Sequence, residues 1–147
     1  LQRYECNEKD CLIIASNSGR NTVSIDMVKA AHKRGMKVIG LTNLLHSKAQ
    51  KSRHVSGAKL YEIGDVVLDN QGCLGDASIY IPEIDRNIAA TSTSLGAMLL
   101  HAVVISAVEI MVEKGHIPEI FSSSNLDEGD EINDKILADY RSLVKPL

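Results

Sequence analysis

The sequence predicts an α/β fold, a three-layer α/β/α sandwich with helices on both faces of a mostly parallel sheet. Three observations predict it. A short apolar run, 11–15, stops in small polar residues and passes at once into a helical pattern. Two further strand-like runs, 37–42 and 65–69, follow after connecting segments. A strand–helix–strand unit of this length requires parallel strands joined by a right-handed crossover.

The composition limits the class of protein. A chain of 147 residues fits one domain, and with one Phe and no Trp its core must be aliphatic. The net charge of −3 argues against a nucleic-acid binder, which usually carries a basic patch. Cys6, Cys11 and Cys73 are an odd number without metal-type spacing, so free thiols in a reducing cytoplasm are expected. No metal site is indicated by the sequence.

The first half of the chain alternates strands and helices. Strand 11–15 is apolar throughout, as expected when both faces of a sheet are covered. The helical pattern 22–34 ends at Gly35, a typical residue after a helix C-terminus, and strand 37–42 follows it. A short helix is expected within 43–54.

The pattern that predicts strands and helices is weaker in the middle of the chain. A small strand is expected at 60–63 and a third parallel strand at 65–69. Residues 78–81 are expected to form an edge strand, because Pro82 cannot continue a ladder. The following stretch, 83–90, is expected to be a loop.

Two helices are expected in the last third of the chain. The first, 92–114, is apolar on nearly every face, so it should be largely buried and pack on its symmetry mate in an oligomer. His101, Ser106 and Glu109 interrupt its apolar run, which makes it a poor membrane span. The second, 130–144, is amphipathic.

The loop 16–22, between the first strand and the first helix, is dense in hydroxyl and amide side chains. Helix N-termini present unpaired backbone N–H groups and a partial positive charge, so this loop suits a phosphate or a carboxylate. The same residue types also cap helices and fill tight turns without any ligand. A nucleotide is not the first choice, because no Lys follows Gly19 and the loop has a single glycine.

The pattern Ser16-x-Ser18-Gly19-x-Asn21 resembles the signature of the sugar isomerase (SIS) domain, Ser-x-Ser-Gly-x-Thr/Ser, whose loop holds the phosphate of a phosphosugar. More narrowly, the chain resembles the bacterial UPF0309 group of SIS-domain proteins. It shares with them an SNSGRN loop, an SRH-SG segment, a DN-x-G-x-x-GDA segment and a TST segment opening a long helix. Asn21 departs from the commoner Thr or Ser, although an amide can also donate to a phosphate.

The resemblance implies a flavodoxin-like sheet and a phosphosugar-binding protein, acting as a sugar-phosphate isomerase or a related lyase or etherase. A non-catalytic sugar-phosphate sensor is the alternative, and a binder of nucleotides or other anions is a third possibility. The resemblance also implies that 1–147 is a single SIS-like domain, the C-terminal portion of a longer protein that lacks its N-terminal helices and first strands. A homodimer or higher homo-oligomer is expected, in the cytoplasm, without cofactor, nucleic acid or membrane.

Ligands bind where parallel strands end, so the candidate residues lie at that edge of the sheet. The phosphosugar-binding candidates are Ser16, Asn17, Ser18, Gly19, Arg20, Asn21, Thr42, Asp76, Ser92, Thr93 and Ser94. The acid–base candidates are His46, His54 and Glu109. For each histidine a surface or packing role is the competing interpretation. Glu109 lies two helical turns after His101, and an ion pair at a subunit contact is preferred there over proton transfer.

Overall fold

The computed structural model describes residues 4–142. A parallel sheet in the order β1-β2-β3 organises the first part of this segment. Its strands are β1 (Cys11–Ala15), β2 (Lys37–Thr42) and β3 (Val66–Asp69). The helices between them are α1 (Thr22–His32), α2 (Leu44–Ala49) and α3 (Leu60–Ile63). The predicted α/β class and the parallel strands are confirmed, and β2 has the bounds that the sequence predicts.

The predicted strand at 60–63 is wrong, since these residues form the single helical turn α3. Leu60, its first residue, is fully buried and packs against β2 at Gly40. A Cβ atom at Gly40 would lie 2.9 Å from the Leu60 Cγ atom, so the glycine makes room for the leucine. Tertiary packing of one large side chain therefore decides the conformation of this short segment, as it often does when local preference is weak.

A hairpin follows β3. Its first strand is the edge strand predicted at 78–81, whereas the predicted loop at 83–90 is wrong because it contains the second strand of the hairpin. Strands β4 (Ala77–Ile81) and β5 (Arg86–Ala90) pair antiparallel and form a separate two-stranded sheet. β4 ends immediately before Pro82, as predicted, but the chain then reverses and pairs with itself. Asp85 makes the reversal with a positive φ of 49°, a conformation that Asp tolerates better than most residues.

The core lies on one face of the parallel sheet. Its buried members come from α1, α3, β2 and the residue just before β2, with Leu12 and Ile14 of β1 packed against them. They are Val28, Ala31, Met36, Val38 and Leu60.

The opposite face is open over much of its area: Ile13 of β1 is 46% exposed and Val66 of β3 is 50% exposed. The expectation that β1 is covered on both faces is therefore wrong for the described residues. The three-layer sandwich is not confirmed.

The long helix α4 (Ser92–Glu113) starts at the predicted residue and ends one residue before the predicted end at 114, but its environment differs from the prediction. Gly96 is its one buried residue within the described chain, so the expected burial is wrong for this chain taken alone.

Despite His101, Ser106 and Glu109, α4 is long and apolar enough to span a membrane, with a mean hydropathy of 2.1. A single such helix is weak evidence, because core helices of soluble proteins pass the same test. Homo-oligomerisation and a cytoplasmic location stay predictions.

Internal contacts divide the chain into two compact units, Leu1–Ala102 and Val103–Leu147. The second unit contains α5 (Gly129–Tyr140), which starts near the predicted position and ends earlier than predicted. The end of the predicted helix, from 143 onward, lies outside the described residues. Side chains of α5, including Leu137 and Tyr140, line an apolar cavity with Met111 and Phe121 of the same unit.

Candidate functional site

The loop after β1 is held tightly by backbone hydrogen bonds. The Ser16 N–H donates to the Leu41 carbonyl at the end of β2, 2.9 Å away, and the Gly19 N–H turns back to the Ser16 carbonyl at 3.0 Å. Gly19 has a positive φ of 56° and is buried, while Ser16 and Ser18 are half-buried. The sequence-predicted loop is therefore a compact turn that delivers the chain to α1, as the strand–loop–helix pattern indicates.

The N-terminus of α1 is left without a side-chain cap. Asn21 occupies the N-cap position, but its side chain does not bond to the helix, and the first turn has no acidic residue. The Asn21 Oδ1 atom accepts instead from the Arg53 Nη1 atom, 3.2 Å away. Since the first turn of α1 carries no acidic residue, the partial positive charge at this end of the helix is available to an anion.

Two arginines border the same loop. Arg20 donates from Nη1 to the Gln50 Oε1 atom at 2.7 Å, and its carbonyl accepts from the Arg53 N–H at 2.9 Å. The Arg53 guanidinium adds positive charge beside the uncapped end of α1 through its hydrogen bond to Asn21, while the Arg20 guanidinium reaches Gln50 at the end of α2. Arg53 was not among the predicted site residues, although it belongs to the SRH segment in the sequence.

Three asparagine side chains connect the ends of the parallel strands. The Asn70 Nδ2 atom donates to the Asn17 Oδ1 atom at 2.9 Å, and the Asn43 Nδ2 atom donates to the Asn70 Oδ1 atom at 3.1 Å. The Thr42 hydroxyl donates to the Asn17 carbonyl, 3.0 Å away, and this bond connects the end of β2 to the loop. The sequence places Asn43 and Asn70 at the ligand-binding edge of the sheet, although neither is among the predicted phosphosugar-binding residues. Both directly follow a parallel strand, which is the signal that points to them.

A cavity of about 370 Å³ opens beside this asparagine cluster, within the first unit. Four predicted residues, Ser16, Asn17, Ser92 and Thr93, line it together with Asn70. The apolar lining residues are Ala15, Leu41, Gly96, Ala97 and Leu100. The structure thus brings the two hydroxyl-rich helix starts to one cavity. The other loop candidates, from Ser18 to Asn21, are not among the lining residues, and neither are Thr42, Asp76 and the exposed Ser94.

Asp76 caps the start of α4 from a distant loop. Its Oδ1 atom accepts from the backbone N–H groups of Thr91 and Ser92, at 3.1 and 2.7 Å, and its Oδ2 atom accepts from the Ser92 hydroxyl at 2.8 Å. Burial by itself would raise the pKa of Asp76, but the hydrogen bonds from Ser92 and Thr91 outweigh it and lower the pKa. Both carboxylate oxygens are therefore engaged by the helix.

We expect Asp76→Asn to destabilise the protein by about 1 kcal/mol at pH 7, the usual contribution of a helix cap. The lowered pKa means that the charged form is stabilised by folding, so this contribution is present above the pKa of the unfolded carboxyl. It is lost as the pH falls through the pKa of the folded protein. Urea unfolding of both proteins at pH 7 and at about pH 3 checks this, and the gap between them should shrink at the lower pH.

Asp127→Asn is the matched control, since Asp127 is exposed and lies in the second unit. It should leave the free energy of unfolding nearly unchanged at both pH values. Equal stability of wild type and Asp76→Asn at pH 7 would contradict the capping role.

The acid–base candidates are all absent from the cavity lining. The His46 Nδ1 atom accepts from the Gly75 N–H at 3.2 Å, which ties α2 to the loop after β3. His54 is buried, with Nδ1 2.7 Å from the Ser56 hydroxyl and Nε2 3.2 Å from the Asp26 carboxylate. Glu109 is exposed on the part of α4 that belongs to the second unit. Each histidine therefore has a structural partner, which is the competing interpretation that the sequence left open.

The comparisons with known proteins agree with these features. The profile of the SIS domain family matches residues 1–43, a segment that contains β1, the loop, α1 and β2. The chain is 43% identical over 140 residues to a UPF0309 protein of Halalkalibacterium halodurans, which covers 95% of this chain and 58% of that protein.

Two further relatives carry the same description. The chain is 44% identical over 135 residues to a UPF0309 protein of Oceanobacillus iheyensis, covering 92% of this chain and 55% of the relative. It is 40% identical over 147 residues to one of Geobacillus kaustophilus, covering 100% of this chain and 59% of the relative. The chain therefore spans less than three-fifths of the length of these curated relatives.

Proposed function

The chain is homologous to the UPF0309 proteins and begins in a segment that matches the SIS domain, and on this premise we propose that it binds a sugar phosphate. The phosphate lies at the loop 16–21, against the N-terminus of α1, and the sugar extends into the neighbouring cavity. The observation that carries the proposal is the adjacency of these two features. Asn17 belongs to the loop and also lines the cavity.

The electrostatics of the loop favour a phosphate. The start of α1 has neither a side-chain cap nor an acidic residue. Arg53 contacts the N-cap residue Asn21, and Arg20 belongs to the loop itself. An anion there gains from unpaired backbone N–H groups, from the helix dipole and from the arginine charges together.

The cavity has the mixed character that a sugar ring needs. Hydroxyls of Ser16, Ser92 and Thr93 offer hydrogen bonds to sugar oxygens, while Leu41 and Leu100 present apolar surface to the C–H groups of the ring. Binding pockets for small molecules combine apolar walls with a few placed polar groups in this way. The volume of about 370 Å³ lies within the usual range for such a site.

One observation favours the sensor over the enzyme for this segment. The cavity-lining residues among those described, 4–142, include no titratable side chain. Isomerisation of a sugar phosphate needs a general base to move a proton between adjacent carbons. Binding without turnover by this chain is therefore the first proposal. The isomerase or etherase activity, with His46, His54 or Glu109 as acid–base groups, is the second.

We expect a hexose, hexosamine, N-acetylhexosamine or muramic acid 6-phosphate to raise the melting temperature of the chain. At about 100 times its dissociation constant, a ligand adds roughly 2.7 kcal/mol of stability. Ser18→Ala should reduce this gain without lowering the stability of the unliganded protein, because the proposal directs that hydroxyl toward the phosphate. Ser106→Ala, an exposed serine of α4 in the second unit, is the matched control and should bind normally.

The unphosphorylated sugars and ATP complete the panel. Equal stabilisation by a sugar and by its 6-phosphate would contradict the phosphate site, and stabilisation by ATP alone would contradict the sugar-phosphate proposal. Product analysis of a binding compound after incubation with the protein then separates a sensor from an enzyme.

A further inference from the structure

We propose that Asn43, Asn70 and Asn17 form a one-way hydrogen-bond relay that fixes Asn17 as a donor toward the cavity. The ligand must then present an acceptor oxygen to the Asn17 Nδ2 group. The hydrogen bonds among the three residues carry the direction of the relay. The identity of the ligand as a sugar phosphate rests on the function proposed above.

The orientation of the Asn43 side-chain amide, the first member of the relay, is set by the backbone of α2. The Asn43 Oδ1 atom accepts from the His46 N–H, 2.7 Å away, as the cap of that helix. A backbone N–H can only donate, so the oxygen of the Asn43 amide must face it. The Nδ2 group of Asn43 therefore points the other way, toward Asn70.

The orientation of the Asn70 side-chain amide, the second member of the relay, is set by two independent donors. The Asn70 Oδ1 atom accepts from the Asn43 Nδ2 atom and from the Gly72 N–H, each at 3.1 Å. The Gly72 contact fixes the orientation of the Asn70 amide by the same logic, since it is again a backbone donor. The Nδ2 group of Asn70 is left to face Asn17, whose Oδ1 atom it meets at 2.9 Å.

Burial makes the relay hard to reverse. Asn43 is 1% exposed and Asn70 is 5% exposed. Reversal of either amide would set N–H groups against N–H groups in a place with little access to water, where an unmet polar group is costly. The two backbone donors, His46 and Gly72, would lose their acceptors as well.

The relay ends at the cavity. With its Oδ1 atom engaged by Asn70, the Asn17 amide has two N–H donors left on Nδ2, and Asn17 lines the cavity. A phosphate oxygen, a carbonyl oxygen or a hydroxyl lone pair satisfies these donors, whereas an ammonium group does not. Asn17 thus selects for oxygen acceptors through the orientation of an uncharged amide side chain.

The direction is measurable without any ligand, by hydrogen-bond scalar couplings in the ¹³C,¹⁵N-labelled 147-residue chain. We expect a correlation from the Asn70 side-chain nitrogen to the Asn17 Cγ carbon, and one from the Asn43 side-chain nitrogen to the Asn70 Cγ carbon. A correlation from the Asn17 nitrogen to the Asn70 carbon would overturn the relay. So would the absence of both expected correlations.

Ligand titration then tests the acceptor requirement. Inorganic phosphate and the 6-phosphates of glucose and N-acetylglucosamine are the probes, and the Asn17 side-chain ¹⁵N signal is the readout. A shift with phosphate alone assigns the acceptor to a phosphate oxygen, and a shift with the sugar phosphates only assigns it to a sugar oxygen. Binding that leaves the Asn17 signal in place would overturn the role of Asn17 as donor.

Asn70→Asp is the matching variant, because its carboxylate still accepts from Asn43 and Gly72 but faces Asn17 with an oxygen. Asn17 should then turn its own Oδ1 atom to the cavity, and affinity for the best probe should fall at least tenfold. Asn125→Asp adds the same charge in the second unit and should bind normally. Unchanged affinity of folded Asn70→Asp would overturn the relay. If no probe binds wild type, the proposed function fails, and the couplings alone decide the relay.

Discussion

Gly19→Ala is expected to unfold the site loop and to cost about 2–4 kcal/mol of stability, because it combines backbone strain with overpacking. Gly19 has a positive φ of 56°, where residues with a Cβ atom are disfavoured. An added Cβ atom would also lie 3.0 Å from the Ser47 hydroxyl and 3.1 Å from the Thr42 hydroxyl. Both residues are fully buried, so neither can move aside easily. Denaturant unfolding and sugar-phosphate binding should both report the loss.

Gly57→Ala separates the effect of backbone strain from the effect of overpacking. Gly57 has a similar positive φ of 73°, but a Cβ atom there would have nothing within 4 Å. It should show the backbone strain alone, about 1–2 kcal/mol, and keep ligand affinity. If Gly19→Ala were no more destabilising than Gly57→Ala, the packing beneath the loop would not be as tight as described.

Leu60→Ala is expected to lower the free energy of unfolding by about 2–5 kcal/mol, the range for removing a buried leucine. Leu60 is fully buried and fills the space over Gly40 of β2. Its N–H also donates to the Gly19 carbonyl at 2.8 Å, so the core residue and the site loop are directly connected. We therefore expect weaker ligand binding in addition to lower stability, measured by urea unfolding and titration calorimetry.

Leu45→Ala is the control for this substitution, since Leu45 is 62% exposed on α2. Its effect should be within about 0.5 kcal/mol, as for most surface positions. A similar loss of stability in the two variants would mean that Leu60 is not the centre of the core.

The strand–loop–helix unit could be predicted because its signals are local. The apolar run 11–15, the small polar residues after it and the helical spacing that follows lie next to each other in the sequence. Gly35, which follows the first helical pattern, and the run 37–42, which predicts the bounds of β2, are local signals of the same kind. Conversely, the segment 60–63 is too short to show a period, and its large residue can serve a strand or a helix equally well.

Parts of the site depended on contacts between distant residues. Asn17 and Asn70 are 53 positions apart, and Asp76 reaches Ser92 across 16 positions. The sequence identified Asn17, Asp76 and Ser92 as polar residues near one sheet edge. It could not show that Asp76 caps a helix while Asn17 and Ser92 line a cavity, because a side chain's partners depend on how the strands are placed.

The sequence by itself determined the α/β class, the parallel order of β1 and β2, and the polar loop between β1 and α1, because strand and helix periods and turn residues act over a few positions. The tertiary structure decided the helical turn at Leu60, the hairpin of β4 and β5, the exposure of α4 and the orientation of Asn17. These four features depend on which surfaces of the chain come into contact when it folds. A side chain's burial and its hydrogen-bond direction follow from partners brought together by folding, and those partners leave no periodic trace in the sequence.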